Sequence, residues 1–162
     1  MKNLKQYTIE KLAARDVEIE DIAKVVYRLQ EPYTKELSME ECVDSVLHVL
    51  DKREVQYTLL TGIVLDELTE KEMIEEPLAS IIKEDEPLYG VDETLAIAIA
   101  NIYGTVGFTS FGYLDKKKMG IMKELDTKGG NVNTFLDDLV AGLAAGGSAR
   151  IAHQKETEKN GK

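Results

Sequence analysis

The sequence predicts an all-α fold, a compact bundle of six to eight helices around one central helix rich in alanine and glycine. Apolar residues recur at three- and four-residue spacing along nearly the whole chain, which is the period of an amphipathic helix. Helix start and stop signals separate these segments. The chain has 162 residues, 43 % of them hydrophobic, and a chain of this length usually builds one hydrophobic core. We therefore expect a single all-helical domain over residues 1–162.

The first half of the chain shows three helix signals in order. Thr8 is the predicted N-cap of a first helix. A second apolar pattern covers residues 19–29 and ends before Pro32, which cannot continue a helix. Ser38 and Glu41 have the spacing of a capping box and open a third helix.

Further helices follow in the second half, and proline and glycine mark the connections between them. The predicted segments are residues 55–68, a short helix opened by Pro77, 91–113, 116–125 and 133–153. Gly129, Gly130 and Asn131 indicate a loop before the last helix. The polar residues 154–162 are expected to form a frayed tail.

The last predicted helix contains very little side-chain bulk between residues 141 and 149. Three of its residues are glycines, Gly142, Gly146 and Gly147, and each costs roughly 1 kcal/mol relative to alanine in a helix. Close approach of neighbouring helices is the natural compensation. We therefore predict that this helix is central, with the alanine-rich segment Leu95–Phe108 as a neighbour.

The charge balance restricts the classes of partner. Thirty acidic against 20 basic residues give a net charge of −10 and a pI near 4.8, which disfavours nucleic acid and anionic membranes. Cys42 is the single cysteine, and His48 and His153 are the two histidines, too few for a disulfide or a thiolate–imidazole zinc site. Cys42 is expected to be a small buried apolar residue.

A cytoplasmic location is expected, with at most peripheral membrane contact. The N-terminal residues contain no apolar signal segment. The two most apolar stretches, Leu95–Phe108 and Leu139–Ala152, each have 14 residues. That is short of the roughly 20 needed to span a bilayer, so no membrane span is predicted, and both stretches are expected to be helices buried in the core.

Two adjacent pairs of acids stand at the starts of the two most apolar helices. Asp92 and Glu93 open the first of these helices, and Asp137 and Asp138 open the second. Acids at helix N-termini often serve only to complement the helix dipole. If the helices meet, one acid of each pair can face a shared centre, and such oxygen ligands suit Mg²⁺ better than Zn²⁺.

Further charged residues lie between the two acid pairs. Asp115, Lys118 and Asp126 occur in or beside the short connecting segment. A lysine among acids can neutralise a phosphate oxygen. The spacing alone leaves a shared metal site and simple dipole complementarity both open.

At these residues the sequence resembles the phosphatidylglycerophosphatase A family, most closely its short soluble branch from Gram-positive bacteria. The resemblance is strongest over residues 89–147, and we place no counterpart for roughly the first 55 residues. Its motifs, in order, are Val91-Asp92-Glu93, Leu114-Asp115 with Lys118, Asp126, Gly129-Gly130, and Leu136-Asp137-Asp138-Leu139-Val140-Ala141-Gly142.

The resemblance implies Mg²⁺-dependent hydrolysis of a phosphate monoester, with phosphatidylglycerophosphate as the family substrate and phosphatidylglycerol and phosphate as the products. It implies a phosphorylated small molecule or lipid headgroup as the ligand. The implied catalytic residues are Asp92, Glu93, Asp115, Lys118, Asp126, Asp137 and Asp138. Asp92, Glu93, Asp137 and Asp138 are the implied metal ligands, and Lys118 would stabilise charge on the phosphoryl group.

A second interpretation belongs to a different functional class. The chain could be a non-catalytic regulatory or stress-adaptation protein that retains the helical scaffold. The alanine and glycine content also suggests a homo-oligomer as a hypothesis. Bound Mg²⁺ at intact acid pairs would favour the enzyme, whereas an oligomeric interface covering those acids would favour the second interpretation.

Overall fold

The computed structural model describes residues 3–127 and 129–161, and these residues contain helices and no strand. Eight helices have seven or more residues, and α5 has six. The helices are α1 (Leu4–Ala13), α2 (Ile19–Gln30), α3 (Met39–Val49), α4 (Arg53–Glu70), α5 (Leu78–Lys83), α6 (Val91–Ala100), α7 (Gly104–Lys117), α8 (Ile121–Thr127) and α9 (Leu136–Asn160). The all-α prediction is confirmed.

The helix starts of the first half follow the predicted signals with one exception. The Ser38–Glu41 capping box is present at the start of α3. The N-cap of α1 is Asn3, so the prediction of Thr8 is wrong. Thr8 lies inside α1, where its hydroxyl donates to the Leu4 carbonyl oxygen at 2.9 Å. The sequence alone does not distinguish a threonine whose hydroxyl donates to a carbonyl one turn earlier from a threonine that caps a helix.

The predicted helix over residues 91–113 is two helices separated by a single 3-10 turn, Asn101–Tyr103. Gly104 follows that turn with φ +68° and ψ −152°, a conformation that L side chains rarely adopt. The run Val91–Lys117 is long and apolar enough to cross a membrane by length and composition, and 28 % of its most apolar window is buried. Burial of the whole Leu95–Phe108 segment was therefore a wrong expectation, since Val106 and Phe108 are exposed.

Two boundaries near the C-terminus also differ from the prediction. Lys116 and Lys117 belong to α7, and α8 begins only at Ile121. Helix α9 continues to Asn160, so the expected frayed tail is helical up to that residue. The charged residues beyond Gln154 lack an apolar stripe, but they extend a helix that is already formed, and extending a helix is far easier than starting one.

The last helix is the centre of the bundle, as predicted. Every residue from Leu136 to Ala149 is buried. Helices α2, α3, α4, α6, α7 and α8 all pack against α9. A helix that is apolar on all sides requires such an environment.

The glycines of α9 lie where neighbouring helices approach most closely. A Cβ atom on Gly142 would lie 2.7 Å from the carbonyl oxygen of Ala96 in α6. A Cβ on Gly147 would lie 3.1 Å from a methyl group of Val26 in α2. On α4, a Cβ on Gly62 would lie 2.4 Å from Leu139. The absence of side chains at these positions therefore permits the packing distances of the bundle.

The N-terminus of α9 is fixed from α4 by one buried acid. The carboxylate of Asp66 accepts hydrogen bonds from the backbone N–H groups of Phe135, at 3.1 Å, and Leu136, at 2.9 Å. Burial raises the pKa of Asp66 to about 7, although these two N–H groups and the charge of Arg15 act in the opposite direction.

A second set of contacts holds the loop before α9. Arg15 donates to the Val132 carbonyl oxygen at 2.5 Å and to Asn133 Oδ1 at 2.9 Å. It also forms an ion pair with Glu70, whose carboxylate accepts the Val132 N–H at 2.8 Å. Arg15, just after α1, and Glu70 of α4 therefore hold the loop that leads into α9.

The close contact at Gly142 predicts a reversal of the usual glycine-to-alanine effect. Alanine is the better helix former by roughly 1 kcal/mol, yet Gly142→Ala should lower the free energy of unfolding by about 1–3 kcal/mol because its methyl group meets backbone. Urea unfolding measures this value. Ala98→Gly on the exposed face of α6 calibrates helix propensity in the same protein. A stabilised Gly142→Ala variant would show that the contact is not tight.

The buried carboxyl of Asp66 predicts a pH-dependent stability. Its pKa is raised from 3.8 to about 7, so the folded state binds the proton more tightly than the unfolded chain. The resulting stabilisation is complete below about pH 4 and is lost as the pH rises toward 7, by on the order of 4 kcal/mol at most. Asp66→Asn keeps an oxygen acceptor and removes the titration, so it should flatten the pH dependence of urea unfolding. Equal slopes in the variant and the parent would contradict the assignment.

Candidate metal centre

The starts of α6 and α9 lie side by side because the two helices touch one turn further along. Gly142 of α9 lies directly against the backbone of Ala96 in α6. Asp92 lies four residues before Ala96, and Asp138 lies four residues before Gly142. Residues four apart lie on the same face of a helix, so the contact brings these two acids together.

Three carboxylates converge at this point. Asp92, Glu93 and Asp138 each offer an oxygen, and these oxygens all lie within 4.8 Å of one another. Asp92 and Asp138 are buried, and Glu93 is half-buried. Asp92 Oδ1 is a buried oxygen without a hydrogen-bond partner among the described residues. A buried carboxylate oxygen that no hydrogen bond satisfies is costly in free energy, and a bound cation would remove that cost.

The pKa shifts of the three acids show that the group lacks a compensating positive charge. Burial, followed by the charges of Asp137 and Asp92, raises the pKa of Asp138 well above its usual range. Burial and then the charge of Asp92 raise the pKa of Glu93. Desolvated carboxyl groups this close cannot all ionise without a nearby positive charge. A divalent cation supplies such charge.

Asp137 binds a lysine and is not part of the three-carboxylate group. Its carboxylate accepts a hydrogen bond from Lys118 Nζ at 2.6 Å. The same ammonium group lies 3.9 Å from Asp126, whose side chain is half exposed. Burial lowers the pKa of Lys118, but the Asp137 hydrogen bond and the surrounding acids more than reverse that effect, so the net shift is upward. Lys118 is therefore a fixed cation beside the three-carboxylate group.

The structure thus divides the predicted site residues into two sets. Asp92, Glu93 and Asp138 form the three-carboxylate group, and Asp137, Lys118 and Asp126 form an adjacent ion-paired set. Asp115, near the end of α7, is half-buried, and its charge raises the pKa of both Glu93 and Asp138.

A small cleft opens beside the ion-paired set. It has a volume of about 160 Å³, and Asp137 contributes to its wall. The other lining residues are Lys83, Asp85, Leu125, Asp126, Asn131, Asn133 and Thr134. This small cleft lies at the predicted site residues. A larger groove of about 560 Å³ lies elsewhere, between α2, α7 and α9.

Sequence reasoning missed two acids that belong to these surroundings. Asp66 accepts hydrogen bonds from the start of α9. The sequence feature that could have identified it is an acid on the same helical face as the apolar residues Leu59 and Ile63. Asp85, in the loop after α5, lines the cleft, and burial followed by the charge of Asp92 raises its pKa. No periodic pattern covers that loop, so nothing in the sequence indicated Asp85.

The donor set fits a hard divalent cation. It consists of carboxylate oxygens from the first turns of two packed helices, and one of these oxygens has no hydrogen-bond partner in the part of the chain that the structure describes. Mg²⁺ is usually held by a few carboxylates while water and phosphate oxygens complete its coordination. The two N-termini also direct positive helix-dipole ends at the site, which favours a bound phosphate.

Known proteins share this architecture and sequence. The protein YutG of Bacillus subtilis (strain 168) is 50 % identical over 145 residues, covering 89 % of this chain and 87 % of its own. A protein of unknown function from Bacillus stearothermophilus has a solved structure with a TM-score of 0.91 and 52 % identity, covering 95 % of this chain and 96 % of its own. The low temperature requirement C protein from Listeria monocytogenes gives a TM-score of 0.92 at 47 % identity, covering 96 % and 98 %.

The sequence model of the family described as phosphatidylglycerophosphatase A matches residues 21–153. The match begins well before residue 55, so it includes α2 and α3, for which the sequence had suggested no counterpart. It also contains all six acids and the one lysine predicted for the site. This chain belongs to the phosphatidylglycerophosphatase A family.

Proposed function

We propose that this protein is a Mg²⁺-dependent phosphatase that hydrolyses a phosphate monoester, with phosphatidylglycerophosphate as its substrate. The observation that carries the proposal is the group of three carboxylates at the paired starts of α6 and α9, in which Asp92 Oδ1 has no hydrogen-bond partner within residues 3–127 and 129–161. Membership of the family supports the same type of reaction.

In this proposal Asp92, Glu93 and Asp138 hold the metal ion. When bound, Mg²⁺ supplies positive charge for phosphoryl oxygens and lowers the pKa of water. The role of the three side chains is to hold that charge at a fixed place on two packed helices. Asp92 and Asp138 are held by a contact between backbones rather than by a loop, which limits how far the group can open.

Lys118 is proposed to bind and stabilise the phosphoryl group. Asp137 orients its ammonium group through the 2.6 Å hydrogen bond, and the raised pKa keeps the lysine protonated at neutral pH. An oriented cation at a partly buried place stabilises developing negative charge better than a mobile one. Asp137 therefore acts through Lys118 as a positioning residue.

Asp115 is proposed as the base that takes the proton of the attacking water. It lies outside the three-carboxylate group, yet near enough to raise the pKa of Glu93 and Asp138. As the water oxygen bonds to phosphorus, its proton passes to Asp115, the bond from phosphorus to the ester oxygen breaks, and Asp115 returns that proton to the departing alcohol oxygen. The thiol of Cys42 is fully buried, and burial raises its pKa to about 11, so it is unsuited to a phosphocysteine route.

The metal-holding role predicts which substitutions abolish activity. Asp138→Asn and Glu93→Gln should each reduce phosphate release from phosphatidylglycerophosphate at least about a hundredfold, and EDTA should do the same to the parent protein. Asp44→Asn changes an exposed acid on α3 and should leave the rate within about twofold. Glycerol 3-phosphate, tested in parallel, shows whether the lipid portion contributes to recognition.

The non-catalytic alternative has a distinct result in the same assay. If the parent protein releases no phosphate from either substrate with Mg²⁺ present, the phosphatase proposal is wrong. If it is active but Asp138→Asn and Glu93→Gln keep normal turnover, the proposed centre is wrong. Circular dichroism on each variant separates loss of function from loss of fold.

Metal binding is expected to release a proton, because burial and the neighbouring acids raise the pKa of Asp138 to about 10 and leave a proton on the group near neutral pH. In calorimetric titrations with MgCl₂, the observed enthalpy should therefore change with the ionisation enthalpy of the buffer. At 100 times the Kd, Mg²⁺ should also stabilise the fold by about 2.7 kcal/mol. Asp138→Asn should lose most of both effects, and an enthalpy independent of buffer would contradict the proposed ligands.

A further inference from the structure

The two sets of acids that adjoin at the start of α9 differ in how their oxygens are satisfied. In the three-carboxylate group, Asp92 Oδ1 has no hydrogen-bond partner among the described residues. In the ion-paired set, both oxygens of Asp137 are engaged. Its Oδ1 accepts the backbone N–H of Asp138 at 2.8 Å, and its Oδ2 accepts from Lys118 Nζ at 2.6 Å. The first set therefore needs a cation, and the second already contains one.

Acids surround the ammonium group of Lys118 much as they would surround a bound metal ion. Besides its contact with Asp137, this group lies 3.9 Å from Asp126 of α8. Asp138, a member of the three-carboxylate group, is close enough that its charge contributes to the raised pKa of Lys118. Because Asp137 and Asp138 are consecutive residues, cations held by the two sets are neighbours.

The backbone at Lys118 shows that a lysine is kept there at a cost. Lys118 follows the last residue of α7 with φ +42° and ψ +68°, in the left-handed region. Glycine or asparagine is the usual residue at such a helix end, because a larger side chain is strained there. Strain of this kind is typical of a position where the side chain has a function. Here the side chain reaches the buried carboxylate of Asp137.

We propose that the ammonium group of Lys118 takes the place of a second divalent cation, so that the protein binds a single Mg²⁺ per chain. This inference rests on the proposed function, in which the three-carboxylate group holds that ion. Two-metal enzymes of phosphoryl transfer hold the reacting oxygens between two ions about 3.5–4 Å apart. In this chain one of the two positive charges is the metal ion, and the other is a fixed side chain.

Two features of the ion-paired set oppose a second metal ion. The first is charge, since a divalent cation in contact with Asp137 and Asp126 would be repelled by the ammonium group between them. The second is the supply of ligands, since Asp137 has no oxygen left that is not already hydrogen-bonded. Removing the ammonium group removes both obstacles. It also leaves a buried carboxylate without a positive charge, which a divalent ion can then supply.

Counting bound Mn²⁺ tests the inference without an assay of phosphatase activity, because Mn²⁺ prefers the same oxygen ligands as Mg²⁺. In calorimetric titrations the parent chain should bind one Mn²⁺, which excess Mg²⁺ displaces. Lys118→Gly suits the left-handed backbone and should bind two. Lys118→Arg keeps the positive charge and should bind one. A purely structural role of the lysine would not change the number of ions.

Electron paramagnetic resonance shows where the second ion of the variant binds. Two Mn²⁺ ions in Lys118→Gly should give the spin-coupled spectrum of neighbouring ions. Lys118→Asn, which also suits the backbone, is the second variant in case Lys118→Gly does not fold. Lys117→Ala removes the adjacent exposed lysine and changes the net charge equally, and it should still bind one ion. This control measures the general attraction of an acidic chain for cations.

The possible failures distinguish this inference from the proposed function. Two ions in the parent chain would show that Lys118 does not replace a metal ion, while the phosphatase proposal would stand. The inference would also be wrong if Lys118→Gly and Lys118→Asn both bound one ion, if Lys118→Arg bound two, or if the second ion gave no spin coupling. No bound ion in the parent would remove the metal centre itself, and both proposals with it.

Discussion

The contact between Gly142 and Ala96 is the constraint on which the candidate site depends. With no side chain on Gly142, α9 approaches the Ala96 carbonyl oxygen of α6 to a distance that a Cβ would not tolerate. Asp138 and Asp92 lie one turn earlier on the two helices, so their separation follows from this contact. The small residues of α9 therefore serve two purposes. They allow the bundle to close around a central helix, and they bring two acids from distant parts of the sequence within reach of one ion.

Bringing acids together in a buried place lowers stability, and the fold shows how that cost is limited. Both pairs of acids are in the first turn of a helix, where the helix dipole favours negative charge. Lys118 neutralises Asp137, and Arg15 lies near Asp66 and holds the loop before α9. The buried negative charge that no neighbouring cation compensates is concentrated in the three-carboxylate group. A cation bound at this point would offset the repulsion between the carboxylates and so stabilise the fold. Unfavourable charge concentrated in one place typically marks a functional site.

The sequence predicted the features that depend on local chemistry. The Ser38–Glu41 capping box, the end of α2 before Pro32 and the central position of the glycine-rich helix are all confirmed. The predictions that were wrong concern features that depend on tertiary packing. The break at residues 101–103 is invisible to an apolar pattern, because both helices continue the same composition. Thr8 has the chemistry of a cap, but Asn3 provides it.

The candidate site was predictable only in part, for the same reason. Acid pairs at two helix starts can be recognised in the sequence, but which acid of each pair faces the shared centre cannot. Rotation of α9 about its axis decides that Asp138 meets Asp92 while Asp137 meets Lys118. The resemblance supplied the four acids without that distinction, and Asp85 reached the site through a loop that carries no periodic signal.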